Sequence, residues 1–362
     1  MKTVFVIGAG AGVDIGMPTG QELKDSIIDI LKVENYHSKN TIVDDALGIL
    51  STQSLSYNKD DEIAKCTTND GKLRYAANII SSGLPLEISI DNFLDKHQDN
   101  EYIVYCGKLA IAFAVIRAEK KSYLYNRDSS VEIKVNNVRN TWYVLFFQKI
   151  TENCLLTDLP KRLQNITFII FNYDRCFEQF FCYALMKNYA IDKGKAREII
   201  KNMNIIHPYG TVDKFDKSYF GDVDILNGAG LIQLSKNIKT FTEHVDQNSN
   251  DYIKMTSACK EANRIIFLGF AYHKQNIKLL YPDPIPHYPS NDWTHSSFAN
   301  DMPKFLDIYG TGFGISDNDR VWIQDMFKRI DGRVQKPDIS NNDCKNFFTD
   351  FWYRISFNSD EV

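Results

Sequence analysis

Short unbroken apolar runs recur along this chain, and each stops at glycine or polar residues. Residues 3–7 lead into Gly8-Ala9-Gly10-Ala11-Gly12, and residues 166–171 lead into Asn172-Tyr173-Asp174. Residues 204–206 lead into His207-Pro208-Tyr209-Gly210, and residues 264–268 into Gly269-Phe270-Ala271. Continuous runs of valine, isoleucine and phenylalanine without polar alternation predict strands covered on both faces, as in a parallel sheet. In an open parallel sheet the carboxyl ends of the strands line the ligand crevice. Chemically useful residues that are far apart in sequence are thus expected along one edge.

Between these runs the period changes to that of helices. Thr19 and Glu22 have capping-box spacing, and Leu23, Ile27, Ile30 and Leu31 then form a helical stripe. Residues 103–118 are apolar nearly all round and 142–156 are again apolar over a helix length, whereas the polar stretch 123–140 reads as containing a loop. Phe177, Phe180, Phe181, Ala184 and Leu185 share one helix face. Pro282, Pro284, Pro286 and Pro289 mark an extended or turning linker. Ser316 then reads as the cap of a helix carrying Trp322, Ile323, Met326, Phe327 and Ile330 on one face. No strand follows the first helix directly. The pattern predicts an α/β fold, a Rossmann-like parallel sheet built from 1–35 and 160–362 and split by a helical insertion or lid over 36–159.

Composition narrows the partners. The 362 residues are 44% apolar, 24% charged and 13% aromatic, which is ample for a core. Lys plus Arg is 42 against 46 for Asp plus Glu, a formal charge of −4, so direct nucleic-acid binding is not expected. The seven cysteines are irregularly spaced and no pair is separated by two residues. That excludes a zinc ribbon and argues against a disulfide framework; reduced thiols in a cytoplasm and no bound metal are expected. No apolar stretch approaches the roughly 18–20 residues that span a bilayer, so no membrane partner is expected. The first residues mimic a secretory signal, but the glycine spacing favours a strand and loop.

Three signals carry chemistry. Glycines at 8, 10 and 12 let backbone N–H groups approach a pyrophosphate at a helix N-terminus, or simply pack strand on helix. The dinucleotide fingerprint wants glycine at its sixth position, where this chain has Val13, and no acidic residue closes a second strand to hold a ribose. A hydride-transferring dehydrogenase is thereby disfavoured, and no Gly-Lys-Ser/Thr phosphate loop occurs. Asn172 is either a turn or cap residue, or an amide that bonds a ribose hydroxyl or a water. His207 is either structural or a general base working near neutrality.

Together these residues carry a family resemblance. Gly8-Ala9-Gly10 followed by Gly16-Met17-Pro18 resembles the glycine signature of sirtuins. Phe171-Asn172-Tyr173-Asp174 and His207-Pro208-Tyr209-Gly210 are similar to the corresponding elements of the sirtuin-like NAD-consuming family of bacterial antiphage defence proteins. Ser89-Ile90-Asp91-Asn92-Phe93-Leu94 resembles a segment recurrent in that family, and Phe267-Leu268-Gly269-Phe270 with Asn276 resembles its late strand and loop. The chain departs from deacylases at Gly12, at Ile15, at Thr19-Gly20-Gln21 and in lacking the zinc module.

The resemblance implies an NAD+ glycohydrolase that releases nicotinamide and ADP-ribose, in antiviral defence by NAD depletion. It implies catalytic roles for Asn172 and His207, and an NAD+ site at Gly8, Ala9, Gly10, Pro18, Asp174, Gly210, Gly269 and Asn276. Asp14, whose charge would repel phosphates, is expected to point away or cap a turn. An oligomer or an activating partner is also implied, a HerA-type ATPase being one family precedent. The alternatives are a deacylase or ADP-ribosyltransferase using the same site, and a non-catalytic module that senses NAD or ADP-ribose.

Overall fold

Each apolar run pairs with another in a six-stranded, all-parallel sheet. The strands are β1 (Thr3–Ile7), β2 (Ile166–Ile170), β3 (Asn204–Ile206), β4 (Arg264–Leu268), β5 (Asp307–Thr311) and β6 (Asp338–Ser340). Their spatial order is β3-β2-β1-β4-β5-β6, with β1 at the centre. This is the Rossmann order, and its direction reverses between β1 and β4, where open α/β sheets bind ligands. The computed structural model describes residues 1–32, 42–52, 55–56, 62–126, 133–215, 220–222, 226–240, 249–285, 305–355 and 357.

Strand periodicity sorts the core into two layers. Val4, Val6, Ile169, Ile265 and Phe267 point to one face. The helices packed there include Gly20–Leu31, Ile42–Leu50, Asn69–Gly83, Glu101–Lys121 and Asp317–Ile330. Phe5, Ile7, Phe168, Ile170, Ile266 and Leu268 point to the other face, under Trp142–Thr151, Cys176–Asn188 and Cys344–Asp350. The described elements between β1 and β2 are all helical, and they cover both faces of the sheet. Helix Glu101–Lys121 buries residues on every side, as its unbroken apolar sequence requires.

Local signals explain the helix ends. Thr19 and Glu22 form the expected capping box, and Ser316 Oγ accepts the Asp319 N–H. Ile323, Met326 and Phe327 are buried behind that cap, but Trp322 is 45% exposed, with the Arg329 guanidinium over its ring. Two further strands, β5 and β6, lie in the C-terminal segment, where the hydrophobic pattern predicts only a helix. Gly310 sits inside β5 because an added Cβ would fall 2.9 Å from Ile339 Cδ1 and closer still to the Tyr272 hydroxyl. Pro282 and Pro284 lie in a bend that ends in a bridge from Ile285 to Asp331, while Pro286 and Pro289 fall outside the described residues. All seven cysteines are free thiols. Among the described residues no helix is long and apolar enough to cross a membrane.

The second layer is dominated by aromatic rings around Phe146, which is 1% exposed. Its ring lies 5.0 Å from Phe5 and 5.7 Å from Phe168, both edge-on, and 6.0 Å from Phe348. Phe146→Ala removes a ring shared by the insertion, β1, β2 and the C-terminal helix. It is expected to lower stability by about 3–5 kcal/mol, read as a reduced midpoint in urea unfolding.

Candidate functional site

The loop after β1 is held by the loop after β4. Gly8 N–H donates to the Leu268 carbonyl (2.9 Å), and Gly10 N–H donates to the Gly269 carbonyl (3.0 Å). A Cβ on Gly8 would stand 2.6 Å from that same carbonyl oxygen. Gly269 has φ of +56°, and its own Cβ would come within 1.9 Å of the Ala11 nitrogen, so only glycine fits. The glycines therefore bring two strand ends into backbone contact at the switch point. From Gly8 the chain enters a short 3-10 helix (Ala9–Ile15), which leaves Ala9 half-buried and Gly10 exposed. Asp14 points away from this edge: its Oδ2 accepts the backbone N–H of Trp142 (3.0 Å), at the start of helix Trp142–Thr151. Burial raises its carboxyl pKa, and the Trp142 bond opposes that rise.

The β2 and β3 ends meet beside this contact. Asn172 donates its side-chain amide to the Gly8 carbonyl (3.3 Å), and its own backbone carbonyl lies 3.2 Å from His207 Nδ1. His207 Nε2 is 2.9 Å from Glu178 Oε1, with the two side chains only 12% and 9% exposed. Burial disfavours the imidazolium, but the Glu178 carboxylate, the Asn172 carbonyl and Asp174 together outweigh it, and the His207 pKa is raised above its ordinary value. The other Glu178 oxygen is buried without a hydrogen-bond partner. Gly210 closes the turn by donating its N–H to the His207 carbonyl (3.0 Å). Its φ is +72°, and a Cβ there would lie 1.9 Å from the Asn237 carbonyl oxygen.

Asp174 accepts the Cys176 N–H (3.0 Å) in a local turn that leads into helix Cys176–Asn188, whose N-cap is Arg175. Burial raises its pKa, and the nearby Glu119 and Glu178 carboxylates add to the rise. The next residue, Arg175, enters a buried ion pair with Glu119 of helix Glu101–Lys121, the two side chains being 3% and 0% exposed. Arg175 Nη2 lies 2.6 Å from Glu119 Oε2, and Arg175 donates both its backbone N–H (3.0 Å) and Nε–H (3.1 Å) to Glu119 Oε1. Gly221 N–H completes the set on Oε2 (3.1 Å).

The structure thus brings Gly8 and His207 each into contact with Asn172, with Gly10 and Gly269 alongside Gly8. Asn276 joins through Tyr209, whose hydroxyl donates to its Oδ1 (2.7 Å). Pro18 lies apart: with Gly16 and Met17 it lines a cavity of about 400 Å³ against Ala114, Arg117 and Lys121, and neither Asn172 nor His207 borders it. Sequence reasoning missed Glu178, Glu119 and Arg175. The available signal was a charge set inside an otherwise apolar helical stretch, as at Glu178 beside Phe177. Among the described residues no three His, Cys, Asp or Glu side chains are grouped to hold a metal ion.

No protein-family model matches the chain, and no curated protein is significantly similar to it.

The His207–Glu178 pair sets a pH dependence. A raised histidine pKa means that the pair's stabilisation is full below about pH 6.5 and fades as pH climbs through the folded value. Glu178→Gln is expected to cost most stability at pH 6 and progressively less toward pH 9, in urea unfolding at each pH. A cost that does not change with pH would contradict the assignment.

Proposed function

We propose that this protein cleaves the bond between nicotinamide and ribose in NAD+, passing ADP-ribose to water. The observation that carries the reading is the contact of Asn172, His207 and Gly8 at the switch point of a Rossmann-ordered sheet. Breaking this bond passes through an oxocarbenium-like state and releases neutral nicotinamide, so no strong acid is needed. What the site must supply is position, a proton acceptor and the correct nucleophile.

In this proposal the Asn172 amide leaves the Gly8 carbonyl to bond the nicotinamide ribose and the attacking water. Asp174 helps fix where Asn172 sits by bonding the Cys176 N–H at the start of the helix that follows. His207 accepts the proton from a ribose hydroxyl or from the water. Both of its ring nitrogens are engaged here, so the base must exchange a protein partner for substrate. Glu178 makes the imidazole a stronger proton acceptor while keeping it aligned. A pyrophosphate lying along Ala9 and Gly10 requires the contact between Gly10 and Gly269 to open. On the resemblance alone, the proposal extends to activation by an oligomer or a partner such as a HerA-type ATPase, in a defence role by NAD depletion.

The test is nicotinamide release by the purified protein, alone and with the products of neighbouring genes. Asn172→Ala and His207→Ala are each expected to lower the rate by about 10²–10⁴-fold. Wild-type rates in both variants would overturn the residue assignment. With labelled NAD+, free ADP-ribose marks hydrolysis and label bound to protein marks transfer.

A further inference from the structure

The segment Ser89-Ile90-Asp91-Asn92-Phe93-Leu94 folds as the start of helix Ile90–Lys96, and packing accounts for nearly all of it. Ser89 Oγ accepts the Asn92 N–H (3.1 Å) and caps the helix. Asn92 donates to Glu87 (2.9 Å). Ile90, Phe93 and Leu94 are buried, Phe93 against Gly83 and Leu94 against Gly107, where a Cβ would clash with either ring or branch. Asp91 is left over. It faces the strand ends and accepts a hydrogen bond from the Tyr173 hydroxyl, next to Asn172 in the loop after β2.

The bond reaches further than one loop. The Tyr173 ring lies 6.2 Å from that of Tyr209, in the turn after β3, and Tyr209 donates to Asn276 after β4. Phe171 stands edge-on to Tyr209 (5.8 Å) and to Phe270 (5.2 Å). The Val212 N–H donates to the Tyr173 carbonyl (2.9 Å). Three strand-end loops therefore share one buried aromatic contact, and Asp91 is the point where the insertion holds it.

We propose that Asp91 is a positioning residue of the strand-end site, fastening Tyr173 and with it the loop that carries Asn172. The catalytic consequence rests on the NAD+ reading; the fastening does not. Burial pushes the Asp91 carboxyl up to about 6, and the Tyr173 hydroxyl bond opposes that rise. The facing titratable groups are the Tyr173 and Tyr209 hydroxyls from the loops, with the Asp95 carboxylate from its own helix close to Tyr209. Among the described residues no lysine or arginine pairs with Asp91. Asp91 itself is half-buried, and an asparagine would fill the same space without the cost of holding a charge there away from any cation.

Asp91→Asn and Tyr173→Phe test this in the full-length protein. The folded carboxyl must lose its proton between about pH 4 and pH 6, so wild type loses stability over that range while Asp91→Asn does not. The variant's melting temperature is expected to gain on wild type from pH 4 to pH 7. Hydrogen exchange is read in parallel at pH 7. Backbone amides of residues 171–175 and 209–212 are expected to exchange about tenfold faster in both variants, as a charge-assisted bond is weakened or lost. In NAD+ cleavage kcat is expected to fall with KM little changed. Exchange equal to wild type in both variants, or a melting difference that does not vary with pH, overturns the proposal. Faster exchange in a protein that never cleaves NAD+, with any partner added, leaves the fastening standing and removes the NAD+ reading.

Discussion

A carboxylate and a guanidinium with almost no exposure to water tie this molecule together. Glu119 belongs to the long helix of the insertion, Arg175 to the loop that leaves β2, and four hydrogen bonds converge on the two Glu119 oxygens. An ion pair this deep is costly to form and still more costly to break, because removing one partner strands the other charge in a low-dielectric interior. Its value is in placement. Arg175 follows Asp174 directly, so the pair fixes the exit of the Asn172 loop relative to the helical layer, and the Gly221 N–H adds the chain beyond β3. The Asp174–Cys176 bond and the His207–Glu178 contact lie beside the loop that this pair holds.

That dependence makes the insertion part of the site. Helices from residues 20–121 lie over one face of the sheet, and Trp142–Thr151 over the other, with the Trp142 indole donating to the Ala11 carbonyl (2.7 Å). The insertion thus touches the glycine loop through Trp142, the β2 loop through Glu119 and the same loop again through Asp91. Directional bonds thus join this layer to the strand ends.

The first four strands and their terminal residues were legible in the sequence because buried parallel strands leave unbroken apolar runs that end abruptly. β5 and β6 were not. Gly310 and the flanking aspartates at 307 and 338 read locally as turn residues, and the reason for that glycine, the Tyr272 hydroxyl, lies on another loop. The glycine loop admitted two readings for the same cause, since its close neighbour is Gly269, far along the chain. Glu178 and Glu119 left only a faint trace, a charge within an apolar helical stretch, because a charge on a helix ordinarily marks the solvent side and only tertiary contact reveals the partner inside. At Asp174 the local bond accounts for the residue by itself, since its carboxyl accepts the Cys176 N–H.

The proposal that NAD+ occupies the edge formed by Gly8, Asn172 and His207 is decided by a structure with a non-cleavable NAD+ analogue. The nicotinamide-side ribose is expected within hydrogen-bond reach of Asn172 and His207, with the contact between Gly10 and Gly269 opened around the pyrophosphate. An analogue confined to the cavity beside Pro18, with the strand-end contacts unchanged, would refute it.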